Sequence, residues 1–211
     1  MAITRTRTPL TPELVVSAYC QGIFPMADSR SGRIYWFRPD PRAIIPLDAF
    51  HVSRSLARRI RKGTFDVRCD TAFERVMREC ADRPEGTWIS PEFIAVYTEL
   101  HREGLAHSVE CWQDERLVGG VYGVSLGAAF MAESMFHRAT DASKVALWAL
   151  VETLRQRGYL LLDVQYLTPH LMSLGAVEIP HRTYERLLRQ ALSRRCDFGL
   201  SLGPATNQEE S

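Results

Sequence analysis

Two short apolar runs, each interrupted by a carboxylate, constrain the fold of this chain more than any other feature. The first run is residues 130–136 and contains Glu133, and the second is residues 160–165 and contains Asp163. Their length, apolar composition and flanking glycines predict buried strands. Because side chains alternate along a strand, Asp163 and Gln165 project from the same face. Buried polar groups are costly without partners. They therefore either have ordinary hydrogen-bond partners or form a site for a polar substrate between apolar walls.

The composition is that of a soluble globular protein. Of 211 residues, 45% are hydrophobic and 24% are charged, which suits one or two domains with an ordinary core. No apolar run approaches the roughly 20 residues that cross a bilayer, and the first eight residues lack a signal-peptide pattern. The five cysteines are scattered, and the six histidines show no metal-binding spacing. These features predict a cytoplasmic protein with reduced thiols and without a disulfide framework, a metal or a membrane-spanning segment.

The net charge is only +1, but the positive charge is concentrated in one segment. Five basic residues and no acidic residue lie between positions 54 and 62: Arg54, Arg58, Arg59, Arg61 and Lys62. A local basic patch on a neutral protein suits contact with a phosphate backbone. Alternatively, this segment is simply the solvent-exposed face of a helix.

Helix-start and turn signals divide the chain into three parts. A small α/β amino-terminal domain over residues 1–62 is predicted to hold a helix at 11–20, a strand at 34–37 and the basic helix at 53–62. Residues 63–195 are predicted to form an α+β domain with a mixed sheet and flanking helices, and residues 196–211 a flexible tail. The predicted elements of the larger domain are strand 65–69, a helix from its cap Asp70 to 81, helix 90–103, strands 107–113, 116–125 and 128–134 in hairpin succession, helix 142–157, strand 159–165, and helices 169–174 and 182–192.

Seven collinear segments form a pattern that is specific as a set. They are residues 19–26 (YCQGIFPM), 36–42 (WFRPDPR), 86–89 (GTWI), 117–123 (LVGGVYG), 133–136 (ESMF), 163–165 (DVQ) and, after His170, 173–180 (SLGAVEIP). This set resembles the bacterial leucyl/phenylalanyl-tRNA–protein transferases over about residues 11–188. Phe37 stands where the family usually has tryptophan, and it retains a ring that can stack on a base.

The resemblance implies a GNAT-like catalytic domain behind a small amino-terminal domain. It implies an enzyme that moves leucine or phenylalanine, with methionine as a further candidate, from aminoacyl-tRNA to the amino-terminal arginine or lysine of a protein. The product would enter the bacterial N-degron degradation pathway. The implied partners are the charged tRNA and the acceptor protein, with no cofactor, no metal and no membrane, and the enzyme is expected to be a monomer.

Site residues follow from the same resemblance. Asp163 is expected to orient the incoming amine or to relay its proton through Gln165, and Glu133 to bind the α-ammonium of the aminoacyl group. The apolar slot for the transferred side chain is implied to be walled by Val121, Phe130, Met135, Leu147, Leu150, Leu154 and Leu162. Trp36, Phe37 and Trp88 are candidates for stacking on the terminal adenosine, and the basic segment for phosphate contacts along the acceptor stem.

Two other functions stay open. A GNAT-type acyl-CoA N-acetyltransferase needs a glycine-rich turn that holds pyrophosphate at a helix start. Residues 137–144 read HRATDASK without glycine, and Asp141 there would repel phosphate. A non-catalytic RNA-binding protein would explain the basic segment and the aromatic residues, but it leaves Glu133, Asp163 and Gln165 without a purpose.

Overall fold

The structure, a computed structural model, describes residues 2–5 and 9–199. Within these residues the strands are β1 Ala2–Arg5, β2 Phe24–Ala27, β3 Ile34–Phe37, β4 Arg42–Ile44, β5 Asp66–Cys69, β6 Ala106–Gln113, β7 Arg116–Leu126, β8 Ala129–His137, β9 Leu161–Gln165 and β10 Val177–Ile179. The helices are α1 Pro12–Cys20, α2 Arg54–Arg61, α3 Phe73–Ala81, α4 Pro91–Arg102, α5 Ala142–Gln156, α6 Pro169–Met172 and α7 His181–Leu192. None of these helices is both long and apolar enough to span a bilayer.

The strands form two sheets. The small sheet has the order β1-β3-β2 and is antiparallel. The large sheet has the order β10-β4-β9-β8-β7-β6-β5, in which β8 and β9 are parallel and the other pairs are antiparallel. Helix α5 connects the two parallel strands, as a crossover must. The predicted α+β class, with a mixed sheet and flanking helices, is confirmed.

Three predicted helix starts are formed by the expected side chains. The hydroxyl oxygens of Thr11, Ser53 and Ser90 accept the backbone N–H groups of Leu14, Leu56 and Phe93 at the starts of α1, α2 and α4. Such caps satisfy backbone donors that a helix leaves free at its first turn. The boundaries of these helices were therefore readable from short-range sequence alone.

The predicted cap of α3 is wrong. Asp70 adopts a left-handed backbone with φ +58°, and its carboxylate accepts the backbone N–H of Ser108 and faces His107 instead of capping the helix. The buried Glu110 on β6 caps the helix instead: its carboxylate accepts hydrogen bonds from the backbone N–H groups of Thr71 and Ala72. A distant strand, not a neighbouring residue, therefore satisfies the start of α3.

Sequence analysis missed the short strands β1, β2, β4 and β10. Strand β4 lies in the large sheet between β9 and β10, and it follows a Pro-x-Pro segment that reads as irregular extended chain. The division into domains at residue 62 stays a prediction. Of the predicted tail, residues 200–211 lie outside the described residues, whereas Phe198 is buried and its ring stacks on His107.

The large sheet carries apolar cores on both faces. One core packs α1, α3, α4 and α7 against the sheet, and the other packs α5 and α2 against it. Glycine is required where α5 meets β7, because a Cβ at Gly119 would lie 2.5 Å from the Cβ of Ala142. Helix α5 packs on β6, β7 and β8, and this position brings Leu147 to the pocket beside β8 and β9, where the candidate site lies.

Candidate active site

An open cleft of about 390 Å³ lies at the carboxyl ends of β8 and β9. Four parts of the chain line it: β2, the segment between α3 and α4, β8, and the end of β9 with the residues that follow. The lining residues are Phe24, Met26, Arg83, Glu85, Gly86, Thr87, Trp88, Glu133, Ser134, Met135, Val164, Gln165, Tyr166, Thr168 and Leu171.

A smaller inner pocket of about 80 Å³ adjoins the cleft. The two cavities share six lining residues, and the inner pocket adds Val121, Ala132 and Leu147. Its walls are mostly apolar, whereas the shared boundary carries the polar residues Glu133 and Gln165. The site is thus a small apolar pocket that opens into a wider cleft with several polar and charged residues in its lining. This form is expected of a pocket that binds an apolar group and fixes its orientation with a few polar contacts.

Three of the seven predicted slot residues line the inner pocket: Val121, Met135 and Leu147. The other four are fully buried, each at most 1% exposed, in the core beneath α5, and line neither cavity; they are Phe130, Leu150, Leu154 and Leu162. Sequence reasoning missed Ala132, Val164 and Leu171. A signal existed for Val164, because strand alternation puts it on the face opposite Asp163, whereas Leu171 reaches the pocket only through the turn after β9.

Asp163 does not line either cavity. Its side chain is fully buried and accepts four hydrogen bonds. Oδ1 accepts from Arg42 Nε at 2.9 Å and from the backbone N–H of Gln165 at 2.9 Å. Oδ2 accepts from Arg42 Nη2 at 2.5 Å and from the hydroxyl of Tyr184 at 2.7 Å. With both oxygens engaged, Asp163 has no lone pair directed at the cleft.

The partners of Asp163 are themselves held in one protonation state. Burial acts to lower the pKa of Arg42, but the Asp163 carboxylate outweighs it and the net shift is upward. Burial and the same carboxylate raise the pKa of Tyr184 well above its usual value, so its hydroxyl keeps its proton. The Arg42 guanidinium lies between the rings of Phe24 and Tyr184, at 4.8 and 4.6 Å from their centroids. This buried unit is an anchor for the end of β9.

The anchor fixes an unusual backbone at Gln165. This residue has φ +58°, in the left-handed region that costs a non-glycine residue about 1–3 kcal/mol. The bond from its backbone N–H to Asp163 holds the turn, and its side-chain Nε2 donates to Glu133 Oε1 at 2.8 Å. The amide Oε1 accepts no hydrogen bond from any residue that the structure describes. Gln165 therefore presents a fixed, unoccupied acceptor at the boundary of the two cavities.

Glu133 is the titratable group of this boundary. Burial raises its pKa to about 8, and hydrogen bonding by Tyr19 opposes the shift. The Asp163 carboxylate adds to the upward shift, while Arg42 and Gln165 oppose it. Part of its side chain remains accessible from the cleft. A carboxyl group with such a pKa exchanges its proton in the range where an α-amino group does, at about 7.7–8.0.

The three residues predicted to stack on a base differ in how much of their rings the cleft can reach. Trp88 lines the cleft and packs edge-to-face on Phe93, with centroids 5.4 Å apart. Phe37 is half-buried and stacks on Phe24, which also lines the cleft, at 5.9 Å. Trp36 is only 7% exposed and lies in the apolar core, so its ring faces offer no surface to a base.

The basic segment forms α2 and the residue that follows it. Arg54, Arg58, Arg61 and Lys62 are exposed, while Leu56 anchors the helix in the core next to α5. Arg59 instead pairs with Asp141 at 3.2 Å, and Lys144 donates to the same carboxylate at 2.9 Å. Asp141 occupies the cap position of α5, where a nucleotide phosphate would require free N–H donors. Its carboxylate therefore disfavours a CoA site there.

Within the described residues, one cluster outside the cleft has metal-ligating side chains: Asp70, His101 and His107 lie with ligand atoms within 4.8 Å of one another. Nδ1 of His101 lies 2.8 Å from the carbonyl of Ala106. Both ring nitrogens of His107 face oxygens, Asp70 Oδ2 at 2.8 Å and the carbonyl of Gly104 at 3.1 Å. These ring nitrogens are already engaged by oxygen atoms of the protein, so the cluster is best described as a hydrogen-bonded structural unit.

Family models and individual relatives point to the same protein family. The model of the leucyl/phenylalanyl-tRNA protein transferase family matches residues 44–189, and that of its N-terminal domain matches residues 8–40. Proteins named leucyl/phenylalanyl-tRNA–protein transferase match at 59% identity in Rubrobacter xylanophilus (87% of this chain, 95% of that protein), 57% in Herpetosiphon aurantiacus (90% and 98%) and 51% in Cereibacter sphaeroides (98% and 98%). A solved GCN5-related N-acetyltransferase-like protein from Streptococcus suis is 15% identical, with a TM-score of 0.37 over 79% of this chain and 63% of that one.

Proposed function

This chain belongs to the leucyl/phenylalanyl-tRNA–protein transferase family, as its motifs predicted, and we propose that it moves leucine or phenylalanine from tRNA to the amino-terminal arginine or lysine of a protein. The chain is an enzyme, an aminoacyltransferase. We further propose that it acts as a monomer in the cytoplasm, where aminoacyl-tRNA is made, and that its products enter the N-degron pathway.

One observation carries this proposal: an apolar pocket and an open cleft share Glu133 and Gln165 at their boundary. The inner pocket suits a side chain such as that of leucine or phenylalanine. The α-carbon of the transferred residue would then lie at the boundary, with its α-ammonium toward Glu133 and its ester carbonyl toward the cleft. The cleft leaves room for the terminal ribose and for an incoming amine.

The tRNA would lie along surfaces that converge on the cleft. Trp88 and Phe37 are proposed to flank the terminal adenosine, since stacking on an aromatic ring contributes about 1–3 kcal/mol per base. The exposed basic residues of α2, which packs against α5, would contact backbone phosphates without reading sequence. Trp36 is proposed to support Phe37 from within the core instead of stacking on a base.

The reaction is the aminolysis of an activated ester. The neutral amine nitrogen of the acceptor attacks the ester carbonyl carbon, a C–N bond forms, and the C–O bond to the ribose breaks. The nitrogen loses one proton and the leaving ribose oxygen gains one, so no oxidant, metal or external base is consumed. Since the ester is already activated, the protein contributes mainly by holding the amine and the carbonyl in register.

This positioning is assigned to two residues at the end of β9, Asp163 and Gln165. Both oxygens of Asp163 already accept hydrogen bonds. We therefore propose that Asp163 positions the turn at Gln165 and takes no part in proton transfer. The free Oε1 of Gln165 is suited to accept a hydrogen bond from the attacking amine and so to aim its lone pair. A neutral amide is a very weak base, so the proton is proposed to pass to the leaving oxygen or to the neighbouring ribose hydroxyl.

The proposed function is tested by incubating the pure protein with radiolabelled Leu-tRNA or Phe-tRNA and a model protein that begins with arginine. We expect label in acid-stable form at the amino terminus of the model protein. An otherwise identical model protein with an acetylated amino terminus is the control and should remain unlabelled. Equal labelling of both, or of neither, would contradict the proposal.

Filling the inner pocket should abolish most transfer. Ala132→Leu adds three carbon atoms to a cavity of about 80 Å³. A single methylene in an apolar pocket changes binding by about 1–3 kcal/mol, so kcat/KM for Leu-tRNA should fall at least tenfold and that for Phe-tRNA further. Ala95→Leu, on the exposed face of α4, makes the same change outside the pocket and should leave both values unchanged. Equal values for Ala132→Leu and the parent protein would remove the pocket from the site.

A further inference from the structure

The segment between α3 and α4 forms one rim of the cleft and is fixed in place. Arg83 donates from Nε to the carbonyl of Cys80 at 3.0 Å, and from Nη2 to Ser134 Oγ at 3.1 Å and to the carbonyl of Met135 at 3.2 Å. These bonds tie the segment to β8, directly beside Glu133. The rim residues Glu85 and Trp88 are therefore held in a fixed position relative to Glu133.

Glu85 differs from the other carboxylates near the site. Both carboxylate oxygens of Asp163 accept hydrogen bonds from buried partners. The carboxylate of Glu133 accepts a hydrogen bond from the side-chain amide of Gln165 at the boundary. Glu85 is exposed, lines the cleft, and makes no ion pair or side-chain hydrogen bond with any residue that the structure describes. It is thus an unpaired anion on the wall of the cavity through which the acceptor must enter.

The acceptor, in the function proposed above, carries a cation on a long side chain next to its reactive amine. The inner pocket is assigned to the transferred residue, so the acceptor side chain has to extend along the cleft. The guanidinium of Arg83 donates to oxygens of α3 and β8, which leaves Glu85 as the rim group with charge complementary to arginine or lysine. A carboxylate accepts two parallel N–H bonds from a guanidinium, which favours arginine over lysine.

We propose that Glu85 binds the cationic side chain of the acceptor's first residue and sets the preference of the enzyme for basic amino termini. This inference rests on the proposed function and names the group that selects its second substrate. Glu85 acts on binding of the acceptor and takes no part in bond formation. The tRNA is bound elsewhere in the cleft and on α2, so its use should be independent of this residue.

The test uses Glu85→Gln, with Leu-tRNA as donor and three peptides that differ only in their first residue: arginine, lysine or citrulline, the neutral analogue of arginine. Hydrogen bonds to charged groups contribute about 1.5–3 kcal/mol, so KM for the arginine and lysine peptides should rise about tenfold or more. KM for the citrulline peptide and for Leu-tRNA, and kcat for all three peptides, should change less than twofold.

Glu103→Gln is the matched control, because Glu103 is an exposed glutamate at the end of α4, outside the cleft. It should retain the parent preference for arginine over citrulline. If Glu85→Gln also retains that preference, Glu85 is not the recognition group, although the proposed function stands. If the parent protein transfers leucine to none of the peptides, the proposed function and this inference both fail.

Discussion

Arg42→Met should lower the free energy of unfolding by about 3–5 kcal/mol, because it leaves a buried carboxylate without its counter-ion. Asp163 and Arg42 are both fully buried and joined by two hydrogen bonds. Methionine fills part of the space between Phe24 and Tyr184 but donates no hydrogen bond. The change is measured by urea unfolding at pH 7, followed by circular dichroism.

A double variant separates the effect on stability from the effect on the site. Replacing a whole buried ion pair by apolar residues of similar size is often close to neutral. Arg42→Met/Asp163→Leu should therefore regain a large part of the lost stability. It should not regain transfer activity, since the Gln165 backbone N–H has lost the acceptor that holds its left-handed turn. Full activity in the double variant would show that Asp163 does not position Gln165.

Glu133→Gln should make the fold more stable than the parent protein at alkaline pH. The folded-state pKa of about 8, raised by burial, lies above the usual carboxyl value near 4.5. Between these values the folded state holds a proton that the unfolded state has released, so the parent protein loses stability as the pH rises. The expected slope is about 1.4 kcal/mol per pH unit, and it ends once the pH exceeds the folded-state pKa.

The measurement is a series of urea unfolding curves from pH 5 to pH 9 for the parent protein and for Glu133→Gln. The stability difference should grow in favour of the variant up to about pH 8 and then level off. Glutamine keeps the shape of the side chain and an oxygen for the Gln165 amide to donate to, so packing is preserved. Glu103→Gln, on an exposed carboxylate, should show no such trend. A constant difference across this range would refute a raised pKa at Glu133.

Much of the scaffold is readable from short-range patterns. The apolar runs at 130–136 and 160–165 predicted β8 and β9, and the hairpin spacing before them predicted β6 and β7. Caps at Thr11, Ser53 and Ser90 marked helix starts because a side chain bonds a backbone group three residues away. These interactions are local, so the sequence states them directly.

The site was readable only in part. Glu133 and Gln165 were recognised as polar residues in apolar strands, and the structure joins them by a hydrogen bond across parallel strands. The slot was less predictable, because Leu150 and Leu154 belong to the same apolar stripe of α5 as Leu147. The helix face alone does not say which of its residues meets a cavity and which meets the core. The rotation of α5 on the sheet decides this.

The apolar residues around position 163 are enough to predict that its carboxylate is buried and needs partners. The identity of these partners, Arg42 and Tyr184, follows from the folded chain, because they lie 121 and 21 residues away in sequence. The tertiary structure also decided that Asp163 therefore faces away from the cleft while Gln165, two residues on, faces into it. The physical reason is that burial follows from local composition, whereas the pairing of a buried charge depends on which strand and helix ends the fold brings together.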